Sequence, residues 1–166
     1  MRRRGGVGVS AGISERRVTR YLVRVSPPPF TSIAIAVDYA NMALDPDISL
    51  YERYCAVSTA IRLLATIRRE LFVSSIGVLL RDSGLCEKLR DVVGLNICDS
   101  EEAEGGRRII GDEAVIRKLV KIVNACERGD IPVTEELILT LAQAVIVTLV
   151  PQLKIQIQQQ VPEELT

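Results

Sequence analysis

The chain has 166 residues, with 21 basic and 21 acidic side chains and no histidine. Without histidine the chain cannot build a Ser-His-Asp triad, an H-E-x-x-H site or a Cys₂His₂ site, and it lacks the commonest general base near neutral pH. Hydrophobic residues make up 48% of the chain, but only four are Tyr, two are Phe and none is Trp, so we expect a single domain with an aliphatic core.

The positive charge is concentrated at the N-terminus. Residues 1–24 contain seven Arg and one acid, Glu15, so the rest of the chain carries a net charge of −6. We interpret residues 1–29 as a basic, partly disordered arm and residues 30–161 as a single helical domain. The arm could contact phosphates, or it could be a solubilising terminus.

Part of this arm resembles a known DNA-binding motif. Residues 12–22 are similar to the turn and recognition helix of helix-turn-helix proteins, in which a Gly-aliphatic-Ser turn leads into a basic helix. The resemblance implies that Arg16, Arg17 and Arg20 face phosphates or bases. The stretch before it is rich in Arg and Gly, where the family has a scaffold helix.

Two helices are predicted in the first half of the domain. Thr31 can cap a helix that runs to about Leu44. Ser49 and Glu52 form a capping box, which opens a second helix over residues 49–72 with one apolar stripe. The short loop between the two helices predicts an antiparallel helical hairpin.

The middle of the chain is harder to assign. Residues 76–80 could be a strand or a helical turn, and residues 85–93 are typical of a short helix. Residues 95–98 and 108–110 are β-prone and flank an acidic stretch, so we predict a small β-hairpin around residues 95–110.

The C-terminal third returns to a helical period. One helix is predicted from Asp112 to Gly129, and Thr134 can cap the last helix, which is apolar nearly all round and should be central. We expect that helix to end at Pro151. The alternation of apolar and polar residues over 153–157 then predicts a short C-terminal strand.

These elements predict a mainly α fold, a compact bundle of four to five helices with a small hairpin and a short strand. The apolar run 137–150 is too short to span a bilayer, and no long apolar segment follows the N-terminal Arg cluster. We therefore expect a cytoplasmic protein without a membrane partner. Seventeen Arg against four Lys could reflect a G+C-rich genome or a thermophilic source.

The four cysteines form no C-x-x-C motif, and their spacings match no common zinc site. Free thiols are the favoured interpretation. The alternative is a structural disulfide in a hyperthermophile, most simply between Cys86 and Cys98. Cys55 lies close to the apolar stripe of the second helix, which favours a buried, unreactive thiol.

Basic residues outside the arm are candidate phosphate contacts. Arg62 and Arg69 lie seven positions apart on the second helix, and Arg107 with Arg108 could complete a patch. The alternative is a solvated face.

Other patterns carry less chemistry. The acidic run 99–104 lacks the ligand spacing of a calcium-binding loop, and the chain has no P-loop. Candidates for a buried polar constellation are few, and Gln143 is the most interesting because a buried amide needs partners. The others are Asp38, Tyr39, Glu52 and Arg53.

The function favoured by the sequence is a non-catalytic helical interaction subunit, whose partner is another protein or a second copy of the chain. It could belong to a nucleoprotein complex, since the order of elements is similar to that of the small helical subunits of archaeal CRISPR interference complexes. The first alternative is a DNA-binding transcriptional regulator that uses residues 12–24. The second is a ligand-binding or enzymatic helical protein. We expect no cofactor, no metal and no catalytic residue.

Overall fold

A computed structural model of the chain describes residues 29–67, 76–99 and 101–160. Within these ranges the protein is mainly helical, which confirms the predicted class. The elements in chain order are α1 (Pro29–Ala43), α2 (Leu50–Ile67), α3 (Ile76–Asp82), α4 (Leu85–Val93), β1 (Glu101–Glu104), β2 (Arg107–Ile110), α5 (Asp112–Glu127) and α6 (Glu135–Gln160). The basic arm lies outside the described residues, so its boundary with the domain stays a prediction.

The first two helices differ from their predicted bounds mainly at their ends. α1 begins at Pro29 rather than at a cap on Thr31, because proline is well suited to the first helical position, where its missing N–H group has no partner to lose. The capping box of α2 is confirmed, since the Glu52 N–H group donates to Ser49 Oγ at 3.2 Å. The predicted extension over 68–72 lies outside the described residues.

The core is aliphatic, as the composition predicts. Its buried members in the described part of the chain are Ala, Val, Ile, Leu and Cys side chains. α6 supplies many of them and packs against α1, α2, α3 and α4, which confirms its predicted central position. Burial of this shared apolar surface is the main stabilising contribution to the fold.

α6 is longer than the sequence predicts. It begins after Thr134, whose Oγ1 accepts the Leu137 N–H group at 3.1 Å, and it continues through Pro151 to Gln160. The predicted end at Pro151 and the predicted C-terminal strand are therefore wrong. A strand needs a partner edge, whereas a continuing helix satisfies its own backbone, and beyond the proline Leu153 packs against the core, which helps to offset the roughly 3 kcal/mol that an interior proline costs.

The burial pattern of α6 corrects the expectation that Gln143 is a buried amide. Gln143 is exposed, because it falls on the narrow outer face of the helix between the buried Ala142 and Ala144.

By length and composition, residues 135–154 could cross a membrane, and this is the one such helix in the described part of the chain. More than half of that window is buried against the other helices, which is typical of a core helix.

The ambiguous middle segment contains two short helices and a disulfide. Residues 76–80 belong to α3, which meets α4 at Gly84, a residue in the left-handed conformation that an L side chain rarely adopts. Cys86 of α4 is bonded to Cys98, so the favoured prediction of free thiols is wrong for this pair. A Cβ added at Gly77 would lie 3.3 Å from the Cys98 carbonyl oxygen, so α3 approaches this bridge closely.

The two strands pair antiparallel, with Glu101 opposite Ile110 and Glu104 opposite Arg107. Gly105 and Gly106 form the two-residue turn, and both have positive φ, as the hairpin turn with matching strand twist requires. The strands must flank this turn directly. The acidic run therefore lies largely in β1, and residues 95–98, which we predict as β-prone, are not a strand.

We predict that Val145→Asp prevents stable folding. Val145 is fully buried in α6, and an unpaired buried charge there should lower the free energy of unfolding by at least about 4 kcal/mol. The matched control is Gln143→Asp on the exposed face of the same helix, which should change stability by no more than about 0.5 kcal/mol. Urea unfolding followed by circular dichroism measures both. A stable Val145→Asp variant would contradict the central placement of α6.

We also predict that the disulfide stabilises the fold measurably. Cys86 and Cys98 are 12 residues apart, and closing a loop of this size corresponds to about 3 kcal/mol of chain entropy in the unfolded state. Reduction by a dithiol should lower the urea midpoint of the wild-type protein. The double variant Cys86→Ala/Cys98→Ala should start at the lowered midpoint and should not respond to the reductant; a midpoint that reduction leaves unchanged in the wild type would refute the prediction.

Candidate interaction surface

A buried arginine joins three elements at one end of the bundle. Arg53, on the second turn of α2, is only 4% exposed. Its Nε donates to the Ala43 carbonyl oxygen at the end of α1, and its Nη1 lies 2.9 Å from Glu135 Oε2 at the start of α6. This side chain therefore places the end of α1, the start of α2 and the start of α6 next to one another.

The end that Arg53 organises is acidic. Asp45 and Asp47 lie in the loop between α1 and α2, and the Asp47 N–H group donates to Asp45 Oδ1 at 2.9 Å, which fixes a local turn. Glu135 and Glu136 begin α6, where negative side chains are favourable near the N–H groups of the first turn. The sequence signal for each acid is local, but their proximity depends on Arg53.

Two large apolar side chains are exposed among these acids. Tyr51 is 76% exposed and Leu50 is 42% exposed, and both lie in the first turn of α2. We group them with Asp45, Asp47 and Glu52, which lie within six residues of Tyr51 along the chain, and call this set the Tyr51 surface. The other exposed large apolar residues in the described ranges are separated along the chain from this patch and from one another; they are Val78, Leu95 and Ile110.

The thiols and phenols near this patch differ in accessibility. Cys55 is exposed, contrary to the expectation that it is buried, because it lies one turn beyond Tyr51 on the outer face of α2. A hydrogen bond that the Tyr51 hydroxyl donates to the Cys55 side chain, followed by the charge of that side chain, raises the pKa of Tyr51. Cys126 is buried, and this burial, followed by the charge of Glu127, raises the pKa of its thiol.

Tyr54 links α2 to α5. Its hydroxyl donates to the Val123 carbonyl oxygen at 3.2 Å. Burial is the largest cause, followed by the charges of the neighbouring Cys126 and Glu127, and together they raise the pKa of Tyr54 to about 12. The phenol therefore stays protonated throughout the physiological range and acts as a structural hydrogen-bond donor.

The arginines predicted to contact phosphate that the structure describes are Arg62, Arg107 and Arg108. Arg62 forms an ion pair with Glu127 and a hydrogen bond to Asn124, both near the end of α5. Arg108 forms an ion pair with Glu101 across the hairpin, and Arg107 is exposed on the same strand, just before α5 begins. Arg16, Arg17, Arg20 and Arg69 lie outside the described residues.

The described part of the chain is acidic as a whole. It contains 17 acidic and 12 basic side chains, a net charge of −5. Among the side chains that the structure describes, no group of three or more Cys, Asp or Glu is placed to hold a metal ion. Asp38 and Glu52, two candidates for a buried polar constellation, are exposed, whereas Arg53 is buried as such a constellation requires.

Tyr51 is the residue that sequence reasoning missed. Its signal was present, since Tyr51 lies off the apolar stripe of α2 and next to the capping box, where a helix wheel places it towards solvent. No known protein-family model matches this chain, and no similar curated protein or solved structure was found. The geometry of the Tyr51 surface therefore has to support the functional proposal by itself.

We predict that removing the Arg53 guanidinium destabilises the fold. Arg53→Met keeps an apolar stem but leaves the Ala43 carbonyl without this donor and Glu135 without its cation, which should cost about 2 kcal/mol. Arg62→Met is the matched control, because it removes an exposed ion pair worth less than about 1 kcal/mol. Urea unfolding compares the two variants. Equal losses of stability would show that Arg53 is not the more important contact.

We predict that stability falls at alkaline pH because of Tyr54. The folded state raises the pKa of Tyr54 from 10.0 to about 12, so the fold holds this proton more tightly than the unfolded chain does. The resulting stabilisation is complete below pH 10 and is lost as the pH rises towards about 12. The measurement is the free energy of unfolding over this range for the wild type and for Tyr54→Phe. The difference between the two proteins should shrink as the pH rises; a constant difference would contradict the assignment.

Proposed function

We propose that this protein is a non-catalytic helical interaction subunit, and that the Tyr51 surface binds another protein. The observation that carries the proposal is the 76% exposure of Tyr51 beside Leu50, on a helix end that is held in place by Arg53. Tyrosine is enriched at protein interfaces because it offers a large apolar ring and a polar hydroxyl at a small cost in conformational entropy.

The charge around the ring indicates the kind of partner. Asp45, Asp47 and Glu52 lie within six residues of Tyr51 along the chain and give this end of the bundle negative charge, so a positively charged partner segment would be steered towards it. Desolvation of the central ring would supply binding energy, and the acidic rim would supply orientation and selectivity.

A capture experiment tests this proposal. Full-length wild-type protein, Tyr51→Ser and the control Val78→Ser are immobilised and exposed to extract from the native cell, with and without nuclease. Each variant removes one exposed apolar side chain, but only the first alters the patch. We expect protein partners that survive nuclease treatment, bind wild type and Val78→Ser equally, and are depleted about tenfold or more on Tyr51→Ser, as expected for an interface hot spot. Partners that bind all three proteins equally would overturn the proposal.

A second candidate function is nucleic-acid binding by residues 12–24, and it is favoured by the net charge of +6 on residues 1–24. The acidic body would contribute little to such binding. The full-length variant Arg16→Gln/Arg17→Gln/Arg20→Gln should then lower the slope of log affinity against log salt by about 2 to 3 on duplex DNA, since each lost phosphate contact removes about 0.9. An unchanged slope would exclude these arginines as the contacts.

A further inference from the structure

We propose that the Arg-rich segment 12–24 of this chain folds back and docks on the Tyr51 surface of the same molecule. The proposal rests on the proposed function of that surface and names the chemistry it selects, namely a short segment that combines arginines with apolar side chains. A protein partner would then need the same chemistry, and it would have to displace this segment.

Charge complementarity is the first argument. Residues 12–20, the part of the segment that can reach the patch, carry three arginines and one glutamate, a net charge of +2, and the three carboxylates of the Tyr51 surface carry −3. Across the molecule the contrast is the same, with +6 on residues 1–24 and −5 on the described residues. Attraction between the two parts is therefore built into the chain and is strongest at low salt.

Side-chain chemistry is the second argument. The face of an exposed tyrosine ring attracts a guanidinium group, so Tyr51 offers a stacking site for an arginine. The segment also contains Val18, which could cover Leu50. Docking would thus bury apolar surface that is otherwise exposed to water while it pairs opposite charges.

The length of the chain allows the contact within one molecule. α1 begins at Pro29 and its 15 residues end beside the Tyr51 surface, a distance of about 21 Å along the helix axis. An extended chain from residue 29 back to Arg20 spans about 30 Å, so Arg20 and the residues before it can reach the patch. A tether of this length gives an effective concentration in roughly the millimolar range, which favours the segment of the same chain over that of a second copy in dilute solution.

Cys55 provides a probe at the patch. It is an exposed free thiol one turn from Tyr51, whereas Cys86 and Cys98 are bonded to each other. In a full-length Cys126→Ala protein, a nitroxide attached to Cys55 should broaden the backbone amide signals of residues 12–24 in nuclear magnetic resonance spectra. The broadening should be lost when salt is raised to about 1 M, where the Debye length falls to about 3 Å.

Matched charge variants test the surface. Asp45→Asn/Asp47→Lys changes the patch by three charges and keeps a side-chain oxygen at position 45 for the turn. Glu87→Lys/Asp91→Asn makes the same change in net charge on the exposed residues of α4. We expect the first variant to reduce the paramagnetic broadening about fivefold, the effect of two lost carboxylates and one added cation, and the second to leave it nearly unchanged.

Three outcomes would overturn the proposal. In the first, the amides of residues 12–24 show no broadening. In the second, both charge variants reduce the broadening equally, which would indicate non-specific electrostatic attraction. The third is broadening of equal size in a mixture in which the isotope and the nitroxide are on different molecules, because a second copy would then be the occupant. The experiment contains no other protein, so it fails or succeeds independently of the capture experiment.

Discussion

The buried guanidinium of Arg53 is the constraint on which the arrangement of the bundle depends. A planar group with several fixed donors can satisfy acceptors on different helices at once, and here it reaches the last carbonyl of α1 and the first carboxylate of α6. The central helix is thereby positioned at its N-terminal end relative to the α1–α2 pair. Apolar packing stabilises the bundle, but such packing is tolerant of small shifts, whereas a buried charge with defined partners is not.

Local signals predicted helix ends well where they involve only a few residues. Ser49 with Glu52, Thr134 and Gly129 each act on the backbone within a turn, so the sequence alone contains the whole interaction. The strand predicted after Pro151 does not form, because these residues continue a long, well-packed helix instead. Whether a proline interrupts a helix depends on the burial beyond it, which the local pattern does not contain.

The candidate site was less predictable than the fold. Arg53 was a candidate for burial, but its partners Ala43 and Glu135 are 10 and 82 residues away, and no spacing rule links them. The exposed thiol of Cys55 shows a related limit, since a position at the edge of an apolar stripe becomes buried or exposed according to which helix packs there. Arg62 and Arg108 are exposed and form ion pairs with Glu127 and Glu101, and a phosphate contact by either of them stays a prediction.

The bond between Cys86 and Cys98 also has a consequence for where the chain can mature. Structural disulfides persist in oxidising compartments, and in the cytosol they are rare outside hyperthermophiles. The cytoplasmic location and the thermophilic source both stay predictions, and this bond would fit a cytoplasmic protein best if its source were a hyperthermophile. In a mesophilic host with a reducing cytosol, the chain would accumulate as a dithiol whose helix α4 is held to the following loop by packing alone.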